Sequence, residues 1–214
     1  LDTSMAADVN SIDVLLNVDA GLVRWNPDAQ VVNDLAKSID VSKDGLPYTV
    51  TLRDNLKWSN GDRLTAKDFV YSWKRAVDPK TGSEYAYLMG AVSGANDIIS
   101  GKSSLDTLGI KAESDTEFTV TLAQPTPYFK FLLSEPVYYP LDQKVVDKYG
   151  KQYGTSSDKT VYNGPFMFKS DKAWTGTNKN FSIYANPNYY DKSAVKSKQI
   201  DFQVISNANT GAQL

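Results

Sequence analysis

The sequence contains no cysteine and no histidine. Without cysteine there is no disulfide frame, no thiolate nucleophile and no cysteine-based zinc site. Without histidine, the commonest general base and the commonest transition-metal ligand are both missing. Ser-His-Asp catalysis, Cys-His catalysis and HExxH metalloprotease chemistry are therefore excluded, and carboxylate-only catalysis survives. No apolar run approaches the roughly 20 residues of a membrane-spanning helix. The formal net charge is -2, so there is no electrostatic case for nucleic acid.

What is present fits a globular protein. The chain has 214 residues, 41% hydrophobic and 22% charged, enough for one large domain or two small ones around a packed core. The 13 tyrosines offer broad contact area with a polar tip, which suits a binding surface and equally suits a strand-rich core. Leu1 is not a natural start, and the final "GAQL" carries no stop signal. Both ends are expected to continue in a longer protein, with any targeting sequence lost ahead of Leu1.

Local patterns predict the elements. In Ser11–Trp25, Ile12, Leu15 and Leu16 fit one helical face, with Ser11 as a candidate cap. "WNPDAQ" reads as a turn, and "VVNDLAKSIDVS" approaches a hairpin. "YTVTLRD" and "FTVTL" alternate as half-buried strands that can pair in one antiparallel sheet. "SNGD" carries a strong Asn-Gly turn signal. After it, Thr65 and Asp68 form a capping pair, Phe69, Trp73 and Ala76 share one face, and Asp78-Pro79 stops the helix. "AYLMGAVSGANDIISGK" reads as a helix broken by glycines, "YFKFLL" as a short helix or buried turn, and "DQKVVDKYGKQYG" as a helix with Val145 and Val146 inward. "YNGPFMFKSD", "FSIYANPNYYD" and "KQIDFQVIS" read as three strands of a second sheet.

Four features invite functional readings. "SGKSS" (Ser100–Ser104) has the GKS end of a phosphate loop, but Asn96 stands where its first glycine belongs, which favours a surface loop. Asp54, Asp62 and Asp68 could serve glycosidase-type work, although a turn and a cap account for Asp62 and Asp68. Trp58 and Trp73 could stack on a sugar or peptide, or fill a core. "YNGP" (Tyr162–Pro165) is either a tight turn opening a strand or a flexible crossing between lobes.

The densest signature, "YTVTLRDNLKWSNGDRLTAKDFVYSWKRAVDP", resembles the peptide/nickel family of extracellular solute-binding proteins, and within it the oligopeptide-binding proteins of ABC importers. The opening "LDTSMAADVNSIDVLLNVDAGLVRW" is similar to the family's start, with Thr3 where proline is common. "GIKAESDTEFTVTLAQPTPYF", "YNGPFMF" and "NPNYYD" follow in matching order, so the likeness covers essentially the whole chain. The resemblance implies an α/β (mixed α+β) fold: a periplasmic-binding-protein-like lobe with mixed sheets plus an inserted α+β subdomain. It places an incomplete, discontinuous first lobe at residues 1–20 and 142–214, with the insertion at 21–141 and a second lobe to follow. It implies a monomer without catalytic step, metal or cofactor, which closes around an oligopeptide and delivers it to a membrane ABC permease. It also implies a lipid-anchored, cell-surface setting. Ligand recognition is expected by strand-like backbone pairing along Met5, Ala6, Ala7, Asp8 and Val9, with Tyr85 lining the cavity. The rivals are another ligand on the same fold (nickel, haem, a dipeptide or a signalling peptide), a carboxylate-based hydrolase, and a surface adhesion or receptor module.

Overall fold

The computed structural model describes residues 1–169 and 173–205. The first helix, α1, is Val9–Val18. A hairpin follows, β1 (Val23–Trp25) with β2 (Val31–Asn33), turning where Asn26 accepts the amides of Asp28 and Gln30 on its side chain. Next come β3 (Ala36–Val41), β4 (Pro47–Leu52), the long helix α2 (Ala66–Val77) and the short α3 (Ala95–Ile99). β5 (Ile110–Ala112) and β6 (Glu117–Thr121) complete a four-stranded sheet of order β3-β4-β6-β5. Helices α4 (Phe129–Leu132) and α5 (Gln143–Tyr149) then lead to a three-stranded sheet, β7 (Phe166–Met167), β8 (Asn180–Ala185) and β9 (Gln199–Gln203). Ser170, Asp171 and Ser206, at the ends of stretches expected as strands, lie outside the described residues.

The class is mixed α and β as expected, but every pairing among the described strands is antiparallel, where mixed sheets were expected. The expected pairing of β4 with β6 sets Val50 opposite Phe118 and Tyr48 opposite Val120. That register turns Val50, Phe118 and Val120 onto one face, against which α2 packs. Helix α2 begins as its sequence predicts, with the Asp68 carboxylate accepting the Thr65 amide at 2.6 Å. Phe69, Trp73 and Ala76 are fully buried. Phe69 stacks on Phe118 at 5.3 Å, and Trp73 meets Tyr138 edge-on at 5.0 Å while its indole N–H donates to the Tyr138 carbonyl at 2.8 Å. A buried aromatic of this size stabilises by about 2–3 kcal/mol. Trp58 is buried too, so neither tryptophan is free to stack on a ligand.

Helix α1 departs from expectation. Its cap is Asp8, which accepts the Ser11 amide at 2.9 Å, and not Ser11. The cap sits three residues earlier, so the buried face is Val14, Leu15 and Val18, and Leu16 is exposed. Ser100–Ser104 is a surface loop leaving the end of α3. A phosphate loop would need to open a helix and aim amides at the anion; here carbonyls point out of the helix end.

The described core divides into clusters. The largest runs from Ala20 to Tyr138 and adds Val161 and Tyr189. A second joins Val14 and Val18 to Tyr162, Phe166, Phe168 and Ile183. A third, small one holds Leu141, Val146 and Tyr153, with Tyr71 of α2 packed on it. The segment Tyr162–Pro165 ties the first two together through hydrogen bonds on both sides. The buried Asn163 side chain accepts the Ala20 amide and donates to the Ala20 carbonyl, both at 3.0 Å. The Gly164 amide donates to the Val18 carbonyl at 2.8 Å, and a Cβ at Gly164 would lie 2.6 Å from the Val18 carbonyl carbon. On the other side, the Tyr162 amide donates to the Ser59 hydroxyl at 3.0 Å and its carbonyl accepts the Ser59 amide at 2.7 Å. Asn163→Leu leaves both Ala20 groups buried and unpaired. It is expected to lower stability by roughly 3 kcal/mol, read as a lower urea midpoint at unchanged slope. A loss under about 0.5 kcal/mol would show that the clamp carries no weight.

Candidate functional site

A cleft of about 850 Å³ opens where three parts of the chain meet. The N-terminal segment contributes Asp2 and Met5–Asp8. The end of α2 and its exit contribute Arg75, Lys80 and Thr81. The last turn of α5 and its exit contribute Val146, Asp147, Lys151 and Tyr153. The N-terminal segment is folded on one residue. The Asp2 carbonyl accepts the amides of Met5 and Ala6 at 3.0 and 2.8 Å, and its carboxylate accepts the Ser4 amide at 3.0 Å. Asp8 then caps α1, and hydrogen bonds from the Ser11 side chain and amide hold its carboxyl below the usual range. Between turn and cap, Ala7 has no backbone hydrogen-bond partner among the described residues.

Arg75 reaches back to Asp2 across 73 residues. Its Nη1 and Nη2 donate to Oδ1 and Oδ2 at 2.9 and 2.7 Å, a paired geometry suited to guanidinium and carboxylate. Its guanidinium carbon lies 6.0 Å from the centre of the Tyr153 ring. Burial pushes the Tyr153 hydroxyl well up, so it stays neutral. The cleft carries both signs of charge. Lys80 and Lys151 have no acidic partner within ion-pair distance among the described residues, while Asp8 and Asp147 supply negative charge.

The family model for bacterial extracellular solute-binding proteins, family 5, matches residues 30–214. The chain belongs to this family. It is 88% identical over 214 residues to the dipeptide-binding protein of Lactococcus lactis subsp. cremoris (strain MG1363), a match covering 100% of this chain and 39% of that protein. It is 40% identical over 210 residues to the oligopeptide-binding protein OppA of Bacillus subtilis (strain 168), covering 98% of this chain and 38% of that protein. The solved structure of Listeria monocytogenes OppA bound to peptide has a TM-score of 0.94 at 41% identity, covering 100% of this chain and 42% of that one. The chain thus spans about two fifths of the length of the curated relatives it matches.

Within this family member, the residues expected at the ligand fall in two groups. Met5, Ala6, Ala7 and Asp8 share the cleft wall. Val9 is the exposed first residue of α1, and Tyr85 is half-buried beside Tyr87, with ring centres 6.1 Å apart; neither lines this cleft. No strand forms over Met5–Val9: the segment is a turn, a short extended link and a helix start. Arg75, Tyr153, Lys80 and Lys151 were not anticipated as cleft residues. For Arg75 the only local signal was its place in the last turn of a helix, which the dipole already explains.

Two of the carboxylates proposed for hydrolysis, Asp62 and Asp68, have structural partners. Asp54 is exposed in a turn, and Asp62 accepts the Asn60 side-chain amide at 3.1 Å. Asp68 caps α2; burial, with the nearby Asp142 charge adding to it, raises its carboxyl to about 6. The more perturbed acid is Asp19, at the end of α1. Its Oδ1 is buried without a hydrogen-bond partner among the described residues, and burial raises the carboxyl to about 7 against the pull of the Asn163 amide. An acid whose folded value is raised binds its proton more tightly when folded. The stability it contributes is complete below its ordinary value of 3.8 and is lost as pH rises to about 7. Asp19→Asn is therefore expected to gain stability over wild type as pH rises, by about 1 kcal/mol or more between pH 4 and 7. Chemical denaturation at several pH values tests this, and a pH-independent difference would show that Asp19 ionises normally.

Proposed function

We propose that the whole protein is the extracellular substrate-binding component of an ABC importer, binding peptides in a cleft between two lobes and delivering them to a membrane permease. The observation that carries this reading is the cleft wall at Met5–Asp8. Small side chains at Ala6 and Ala7 let a ligand backbone come close, and the Ala7 amide and carbonyl are free to pair with it. Both signs of charge at the cleft suit a zwitterionic ligand of varied sequence. Val9 and Tyr85 serve as outer contacts for longer ligands. The reading needs no metal, cofactor or catalytic step, and the protein acts as a monomer held at the cell surface by a lipid anchor.

The first lobe is read as residues 1–20 with 142–214, and the insertion as 21–141. The separate cores support this division, since Val14 and Val18 pack with Tyr162–Ile183 while the largest cluster is built mainly from Ala20–Tyr138. Ligand binding then favours the closed arrangement of lobes, which the permease recognises. A dipeptide is the second reading for the ligand, favoured by the name of the 88% identical relative.

Calorimetry of the full-length protein with peptide pools sorted by length separates these readings. Saturable binding to tri- to hexapeptides is expected. Saturation by dipeptides alone would move the assignment to the second reading, and no heat with any pool would overturn both.

A further inference from the structure

We propose that Arg75 is a positioning residue for the ligand wall: through its paired hydrogen bonds to Asp2 it sets the conformation in which Met5–Asp8 face the cleft. The role of that wall rests on the reading of the cleft as the ligand site.

An arginine beside a peptide cleft invites a simpler role, as the receptor of a ligand carboxylate. The geometry points elsewhere. Both terminal nitrogens are already matched to the two oxygens of Asp2, and the two side chains are only 17% and 11% exposed. A pair so shielded is screened little by salt, and pulling the guanidinium away would leave a buried carboxylate uncompensated. Arg75 therefore acts through Asp2.

Asp2 in turn shapes everything up to Ala6. One carboxylate oxygen holds the Ser4 amide, and the carbonyl holds the amides of Met5 and Ala6. Residues 1–8 contain no strand or helix, so no ladder of backbone bonds supports them otherwise. The opposite side is fixed by Gly154, on the exit from α5. Its φ is +71°, and a Cβ there would lie 2.4 Å from the Leu1 carbonyl oxygen and 3.1 Å from the Asp2 nitrogen. The segment is thus gripped between a backbone surface that admits no side chain and a guanidinium fork that fixes its register. Tyr153, next to Gly154, backs Arg75 from the same loop.

The full-length protein tests this with trialanine, trialanine amide and four variants: Arg75→Met, Arg75→Lys, Asp2→Asn and the double variant Asp2→Asn/Arg75→Met. Arg75→Met and Asp2→Asn should each weaken binding roughly tenfold, and the double variant no more than the worse of the two, because both remove one shared interaction. The loss should be equal for the free acid and the amide. Arg75→Lys keeps the charge without the fork and should recover only part of the affinity, remaining more than about threefold weaker than wild type. In Arg75→Met, the amides of Ser4, Met5 and Ala6 should exchange hydrogen at least about tenfold faster, while those of α2 keep their protection. Additive losses, a loss confined to the free acid, or unchanged exchange would overturn the proposal. Failure of wild type to bind either peptide would sink the ligand reading, and the exchange data would still decide whether Arg75 positions the segment. Should Arg75→Met not fold, Asp2→Asn and Arg75→Lys carry the same comparison.

Discussion

One side chain holds the two main parts of this structure in register. The Asn163 carboxamide presents a donor and an acceptor side by side, as a peptide group does, and Ala20 takes both. The pairing lets the chain before β7 lie against the end of α1 as a neighbouring strand would. Gly164 makes the approach possible, because any Cβ would strike the Val18–Asp19 peptide. The next layer depends on this contact. The Asn186 side chain donates to the Gly164 carbonyl at 2.9 Å, and the Asn186 amide donates to the Pro165 carbonyl at 2.9 Å. The loop after β8 is thereby fixed, and the Asn188 side chain reaches the Ser59 carbonyl at 3.0 Å. A buried amide satisfied in this way specifies one arrangement, since any shift strands polar groups away from water.

A second tie works by charge and aromatic contact. Asp34 is buried, and its Oδ1 accepts the hydroxyls of Tyr189 and Tyr190 at 3.2 and 2.7 Å. Burial raises its carboxyl, and the Tyr190 hydrogen bond opposes that rise. Arg53 donates through Nε to the Asp34 carbonyl and lies over the Tyr190 ring at 4.9 Å. The "NPNYYD" stretch thus anchors the second sheet to the first hairpin. With these ties in place, α1, α2 and α5 form a fixed frame around the cleft, and the irregular N-terminal segment is laid onto it.

What the sequence made legible was local. Thr65, Asp68, Phe69, Trp73 and Ala76 lie within one helix, where caps and a 3.6-residue period act on near neighbours. The alternation in "YTVTL" and "FTVTL" exposed both strands and their pairing. The errors began where two local signals competed or the partner was distant. Ser11 and Asp8 are both good caps, and spacing alone does not choose between them; the choice moved the buried face from Leu16 to Val14 and Val18. "YNGP" was ambiguous because an Asn-Gly turn and an Asn reaching across to Ala20 look the same in one dimension. Arg75 had a sufficient local explanation at its helix end and Asp2 lies 73 residues away, so nothing in the sequence marked them as partners. The cleft was legible only as a segment, Met5–Asp8, and only through likeness to a family.

The absence of a strand at that segment bears on how it can recognise a backbone. In a sheet, the groups of an inner strand are already paired and only an edge can accept a new partner. In a helix they are internally paired after the first turn. The link between the Asp2 turn and the Asp8 cap belongs to neither state. The turn consumes the amides of Met5 and Ala6, the cap begins the helical ladder, and the Ala7 peptide between them has no backbone partner among the described residues. A free backbone group is useful to a ligand only if it is held still, because ordering it on binding costs about 1–2 kcal/mol per residue. Here the ordering is supplied in advance from both sides, by Arg75 through Asp2 and by the close backbone of Gly154. On the proposed reading, a regular strand is not required for strand-like recognition; a short extended link, ended by a turn and a cap, presents the same groups.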